Sequence, residues 1–221
     1  MALPVSAGLF EDDEVYYSDD HPNMIQLGLD ETVTLAWAHR AFGDYLIRYG
    51  VDLNYWGADE EETRTYPAPD TTLFYEGEGH DYYTSLHIDF IKPFEPYKQV
   101  RVYVGGGPFF SWGDRETRDK VLVDPDYGLP DYYNKYTAQN KRAGVRALVG
   151  GEFAVNQRVG IFFETGFNAY MQWSEYDTYD RQVLYNPDTE SYYYGDYSRE
   201  SDYSRWNVNM SNVMVGITFR Y

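Results

Sequence analysis

The chain contains no cysteine, so a disulfide framework, a thiolate zinc site and thiol redox chemistry are all excluded. It also lacks any run approaching eighteen consecutive apolar residues, which removes a membrane-spanning helix from consideration. Bases are scarce: 18 Lys and Arg stand against 36 Asp and Glu, a net charge of -18, and no basic patch is available for a phosphate backbone. Nucleic acid is therefore not an expected partner. What the chain has in quantity is aromatic: 25 Tyr, 12 Phe and 5 Trp make 19% of its 221 residues, a composition suited to strands. At this length one domain is expected.

The acids are not evenly spread. Residues 8–22, 58–80, 113–140 and 174–205 hold 27 of the 36 acids but only 8 of the 18 bases, so the segments between them are close to neutral. Those neutral segments alternate. Tyr45, Ile47, Tyr49, Val51, Leu53 and Tyr55 oppose Leu46, Arg48, Gly50, Asp52, Asn54 and Trp56, the period-two signature of a strand with two different faces. The same pattern recurs over 82–90, 100–112, 142–153 and 159–173, and over 23–40, where Asp30-Glu31-Thr32 interrupts it either as a bulge in one long strand or as a turn between two short ones; the bulge is favoured, because seven-residue strands are too short to span. A short run, Val15-Tyr16-Tyr17, is the expected first strand. Short turns at 41–44, 92–98 and 156–157 alternate with the acidic segments, which read as three long loops.

The last stretch, Trp206 to Tyr221, organises the rest. Val213, Val215, Ile217, Phe219 and Tyr221 share one face, opposite Asn212, Met214, Gly216, Thr218 and Arg220. A strand with this alternation and a terminal aromatic resembles the C-terminal signal strand of bacterial outer-membrane β-barrels. That likeness implies recognition by a barrel-assembly machinery and closure against the first strand. The whole pattern resembles the small OmpA/OmpX-like family: an all-β, antiparallel up-and-down transmembrane barrel of eight strands, with ten as the alternative.

Alternation alone does not say which face is outside; glycine and charge do. Gly28, Gly50, Gly105, Gly107, Gly144, Gly150, Gly160, Gly166 and Gly216 fall on the non-apolar faces, as a crowded narrow lumen requires. On those faces the charges are of both signs and include no Lys: Arg48, Asp52, His87, Asp89, Arg101, Arg142, Arg146, Glu152, Glu164 and Arg220. Arg pairs carboxylates bidentately, so these residues are expected to form a network that plugs the lumen. Trp37, Tyr45, Tyr55, Trp112, Trp173 and Tyr221 stand near strand ends as an aromatic girdle against lipid and lipopolysaccharide.

For domains, Ala2 to Ala7 reads as the tail of a secretory signal (residues 1–7), followed by an acidic segment, 8–22, and the barrel, 23–221. The sharpest catalytic candidate, Ser85-Leu86-His87, is unlike lipid A deacylases in order and points into the lumen, so no enzyme is expected. No cofactor is expected either. Asp124-Pro125-Asp126 and Asp177 to Asp180 offer oxygen ligands for calcium at the acidic loops without matching a calcium motif. Function is expected at the surface: Gln182 to Tyr194 reads as a raised hairpin whose Tyr185, Tyr192, Tyr193 and Tyr194 would meet an extracellular partner or another copy. Lateral transfer of a small apolar molecule, as in barrels of the OmpW type, is the alternative.

Overall fold

The computed structural model describes residues 23–67, 70–97, 99–123, 132–186, 188–189 and 191–221. The signal remnant, the acidic segment and the run Val15–Tyr17 lie outside them. Nine strands follow one another: β1 (Asn23–Leu29), β2 (Val33–Phe42), β3 (Tyr45–Pro67), β4 (Asp70–Tyr97), β5 (Val100–Val123), β6 (Tyr132–Ala154), β7 (Val159–Asn186), β8 (Ser191–Met210) and β9 (Met214–Arg220). Every pairing is antiparallel, each strand from β1 to β7 pairs with the next, and β9 joins β7 back to β1. The ring closes with Leu27 opposite Ile217.

Strand β8 pairs with the upper half of β7 and β9 with its lower half, so the two are one stave of an eight-stave wall. Between them Ser211, Asn212 and Val213 form a bulge. From Glu164 to Phe167 β7 advances three residues while its partner retreats four, from Met214 to Met210. The Ser211 N–H and hydroxyl both donate to the Gly166 carbonyl, at 2.8 and 3.2 Å. This extra residue inverts the alternation: Trp206, Val208 and Met210 face outward on β8, whereas Val215, Ile217 and Phe219 do so on β9. The single final strand expected from Trp206 onward is thus broken.

Two further expectations are corrected. Asp30-Glu31-Thr32 is a turn rather than a bulge: Leu29 pairs with Val33, the Asp30 N–H donates to the Thr32 carbonyl at 3.1 Å, and the Asp30 carboxylate accepts from the Thr32 N–H at 2.6 Å. Asp at a turn start satisfies its own backbone in this way. The acidic segments 58–80, 113–140 and 174–205, second, are over their described residues paired strands rather than loops. Strands β3 and β4 stay paired to Pro67↔Asp70, and β7 and β8 to Asn186↔Ser191. With 28 residues, β7 extends roughly 90 Å along its length, at about 3.3 Å per residue. Crossing a bilayer needs only about 9–11 residues, so most of this wall stands above it. On β8 the residues from Tyr193 to Trp206 are exposed on both faces apart from Gly195, which is why the sequence there shows no hydrophobic alternation.

Below, the alternation is fully expressed. Ile25, Leu27, Leu35, Trp37, Tyr49, Leu53, Ile88, Phe90, Val104, Val149, Ile161, Phe163 and Phe219 are exposed on the outer face, while Gln26, Thr34, Arg48, His87, Asp89, Arg101, Glu152, Glu164 and Thr218 are buried inside.

Candidate functional site

The lumen is built from residues that alternate inward on every stave. Arg48 of β3, 1% exposed, lies at its centre. Its guanidinium donates to both Glu164 oxygens at 2.7 and 2.8 Å, to Asp89 at 3.0 Å through Nε, and to the Gln26 side-chain carbonyl at 3.2 Å. Arg146 of β6 donates to the same Asp89, once at 2.6 Å and again through Nη2. The Tyr103 hydroxyl completes Glu164 at 3.1 Å, and Gln26 reaches Thr218 at 3.4 Å. Residues from β1, β3, β4, β5, β6, β7 and β9 are therefore tied into one partition. Beside it His87 Nδ1 stands 3.4 Å from Asp52, which also accepts from the Thr34 hydroxyl at 2.7 Å.

Toward the end where Asn23 and Tyr221 lie, the lumen is filled. Arg220 pairs with Glu152, Arg101 is buried next to them, and Met24, Ala38, Leu46, Ile91, Tyr103 and Leu148 pack into an apolar cluster. The cavity left there measures about 10 Å³, room for a single water. Gln26, Tyr103, Thr34 and Thr218 were not singled out by sequence reasoning. They stand on the same faces as the charges, but a neutral side chain at an inward position carries no sign to mark it.

Above the partition the lumen widens into a cavity of about 510 Å³. Glu164, Arg146 and Leu148 line it below, Tyr83, Phe109, Arg142 and Tyr170 around it, and Asp30 to Thr32 with Asn209 to Asn212 on one side. A second cavity of about 290 Å³ shares Asn54, Tyr83 and Arg142 with the first and continues toward the outer end past Trp56, Tyr136 and Tyr176.

On that one side the wall is incomplete. Strands β1 and β2 end at the 30–32 turn, and β2 leaves β3 at Val33↔Leu53. Beyond that point β3 pairs only with β4, and β8 pairs only with β7 among the described residues. Two free strand edges consequently flank a gap directly over the turn. The three most exposed large apolar side chains of the described residues are on these edges: Tyr55 at 76%, Trp206 at 75% and Val208 at 77%. Since Met210, Val208 and Trp206 pair with Phe167, Ala169 and Met171, the gap begins level with the upper part of the apolar belt.

The remaining candidates are placed as follows. Ser85 and His87 are both buried and point into the lumen. Tyr193 and Tyr194 are exposed on β8, at the top of the β7–β8 hairpin; Tyr185 and Tyr192 pair backbone to backbone there. Arg181 steadies that hairpin by donating to Asp196 at 3.0 Å; this bond, followed by one with Tyr179, holds the Asp196 carboxyl below the usual carboxylate value. Asp177 and Asp180 are strand residues of β7 rather than loop residues, and Asp124 and Asp126 lie outside the described residues. No cluster suited to a metal is found among the described residues.

A closed antiparallel ring, apolar outside and hydrogen-bonded across a charged interior, is a transmembrane β-barrel, the one strand architecture that satisfies its backbone in lipid. The protein is by its architecture a membrane-spanning β-barrel. By fold it is similar to a major outer membrane protein of Thermus thermophilus, at 13% identity and a TM-score of 0.38, covering 90% of this chain and 98% of that one. It is also similar to Acinetobacter baumannii CarO2, at 11% and 0.36, covering 91% and 98%, and to CarO of the same species, at 14% and 0.30, covering 90% and 96%. No protein-family model and no curated protein matches the chain by sequence.

Proposed function

We propose that the protein is a sealed barrel that exchanges a small molecule between the external medium and the outer leaflet, through the gap between β3 and β8. The observation that carries this reading is the coincidence of a floored cavity with a wall that stops beside it. Backbone N–H and C=O groups cannot be left bare in hydrocarbon, each costing several kcal/mol. Free edges at belt level therefore need water or a ligand in the gap, and the 510 Å³ cavity behind them provides the space. The partition beneath disfavours passage onward, so conductance is expected to be absent or small.

The test uses the absence of native cysteine. Asn54→Cys with Asn209→Cys places one thiol on each side of the gap, both at the cavity lining. Bridging them with a short bifunctional maleimide is expected to slow transfer of a fluorescent amphiphile into lipopolysaccharide-coated vesicles at least tenfold. Transfer at the unbridged rate would overturn the lateral route.

A second reading is favoured by a separate observation, the exposed Tyr193, Tyr194 and Tyr197 on the free edge of β8. Tyrosines on an open sheet edge suit strand addition by an extracellular protein or a second copy. Replacing residues 182–194 with a short Gly-Ser link is expected to leave barrel assembly intact. If surface binding or self-association disappears with it, calcium present or absent, the hairpin is a docking element; unchanged behaviour removes this reading.

A further inference from the structure

We infer that Arg142 is the anion-holding residue of the cavity, and that the molecule taken up is a small amphiphile with a single carboxylate head. Arg142 projects from β6 between two rings, its guanidinium carbon 5.5 Å from the centroids of both Tyr83 and Tyr170. Phe109 packs edge-on against Tyr170 at 5.9 Å. Such cation–π contacts attract the guanidinium charge but use up none of its N–H donors. Among the described residues no hydrogen bond or ion pair reaches Arg142, and its Nε is buried without a partner. This is unlike Arg48 and Arg146, whose forks are filled by Asp89 and Glu164.

Apart from Glu31, the other charged groups lining the cavity are committed elsewhere. Asp52 accepts from Thr34 and adjoins His87, Glu164 is held by Arg48 and Tyr103, and Asp30 is engaged with its own turn, while Glu31 is an exposed acid on that turn at the open side of the cavity. Arg142 alone offers an open fork, and it does so where the two cavities meet. A carboxylate fills such a fork with two parallel hydrogen bonds. Phe109, Leu148 and Met214 supply an apolar lining for the remainder, and 510 Å³ is within the range of small-molecule sites. The strongly acidic wall above repels anions in proportion to their charge, which favours a monocarboxylate over a phosphate.

This inference rests on the lateral-exchange reading for what the cavity is for, but its test is equilibrium binding and needs no transfer. With the full chain in maltoside micelles, 4-phenylbutyrate and the matched alcohol, 4-phenylbutanol, are titrated calorimetrically into wild type, Arg142→Gln and Arg142→Lys. Wild type is expected to bind the acid at least tenfold more tightly than the alcohol. Arg142→Gln is expected to lose that preference with alcohol binding unchanged, and Arg142→Lys to retain part of it. Equal binding of acid and alcohol by wild type, no binding of either, or undiminished acid binding by Arg142→Gln would overturn the assignment. Acid binding that survives bridging of the gap while transfer stops supports both readings; preserved transfer with binding lost in Arg142→Gln sinks only the lateral route.

Discussion

Arg48→Ala is expected to lower the stability of the folded barrel by about 3–5 kcal/mol, the cost of stranding buried carboxylates without their counter-charge. Its guanidinium serves Glu164 with two hydrogen bonds and Asp89 with a third, at a site almost closed to water. Asp89 keeps Arg146 after the substitution, whereas Glu164 is left with only the Tyr103 hydroxyl. Glu164→Ala should cost a similar amount from the opposite side. The double variant should lose less than the two singles summed, because neither charge is then left facing a missing partner. Urea titrations in detergent, followed by the mobility difference between unheated and boiled samples, measure all three. A midpoint unmoved by Arg48→Ala would mean that water replaces the guanidinium and that the lumen is a wet channel. Planar-bilayer recording separates these outcomes independently, since loss of the partition is expected to raise conductance.

The second large effect is expected at Gly106→Val. Gly106 sits at φ 155°, outside the range comfortable for a side chain, and a Cβ there would lie 2.1 Å from the Arg146 carbonyl oxygen and 3.0 Å from the Ala147 Cα. Neither is the end of a flexible side chain, so the β5–β6 backbone would have to part. Backbone strain contributes about 1–3 kcal/mol and overpacking about as much again. Pro108, two residues on, already removes one N–H from the same strand, so the local ladder has little to spare. The expected result is a chain that fails to give the fast-migrating folded band. Gly151→Val is the control: this glycine also lies on the apolar side of the wall, but a Cβ there meets nothing nearer than the Arg101 carbonyl at 3.8 Å. It should assemble normally. Loss of both variants would mean that crowding at Gly106 is not the cause, since replacing glycine lowers the entropy of the unfolded chain and by itself favours folding.

Much of the barrel was legible because a strand's two faces are set by local geometry. Alternate residues of an extended chain point to opposite sides wherever the strand is placed. Arg48, His87, Asp89 and Glu164 were thereby assigned to the interior, and Ile25, Leu35 and Phe163 to the lipid, without any knowledge of pairing. The final strand was read in its proper phase from Val213 onward, because Val215, Ile217 and Phe219 must meet lipid together. Above the bilayer the same logic fails. Where both faces of a strand are exposed, as from Tyr193 to Trp206 on β8, no alternation is selected, so paired strands look like acidic loops.

Three features were decided by the tertiary structure alone. Asp30-Glu31-Thr32 admits a bulge or a turn as a local pattern, strand length argued for the bulge, and only the pairing of β1 with β2 selects the turn. Which arginine meets which carboxylate depends on closure of the ring: Arg48 and Glu164 are 116 residues apart and meet across the lumen. The gap belongs to no segment at all. It arises because β1 and β2 turn back at residues 30–32 while β3 and β8 continue upward, a difference in height between neighbours. The sequence by itself determined that this chain makes strands, which side of each faces lipid and which side is charged, since those follow from dihedral geometry and transfer free energy residue by residue. Strand lengths relative to their neighbours, the partners of the buried charges and the open side of the wall are properties of pairing between distant segments, and so came into being only when the barrel closed.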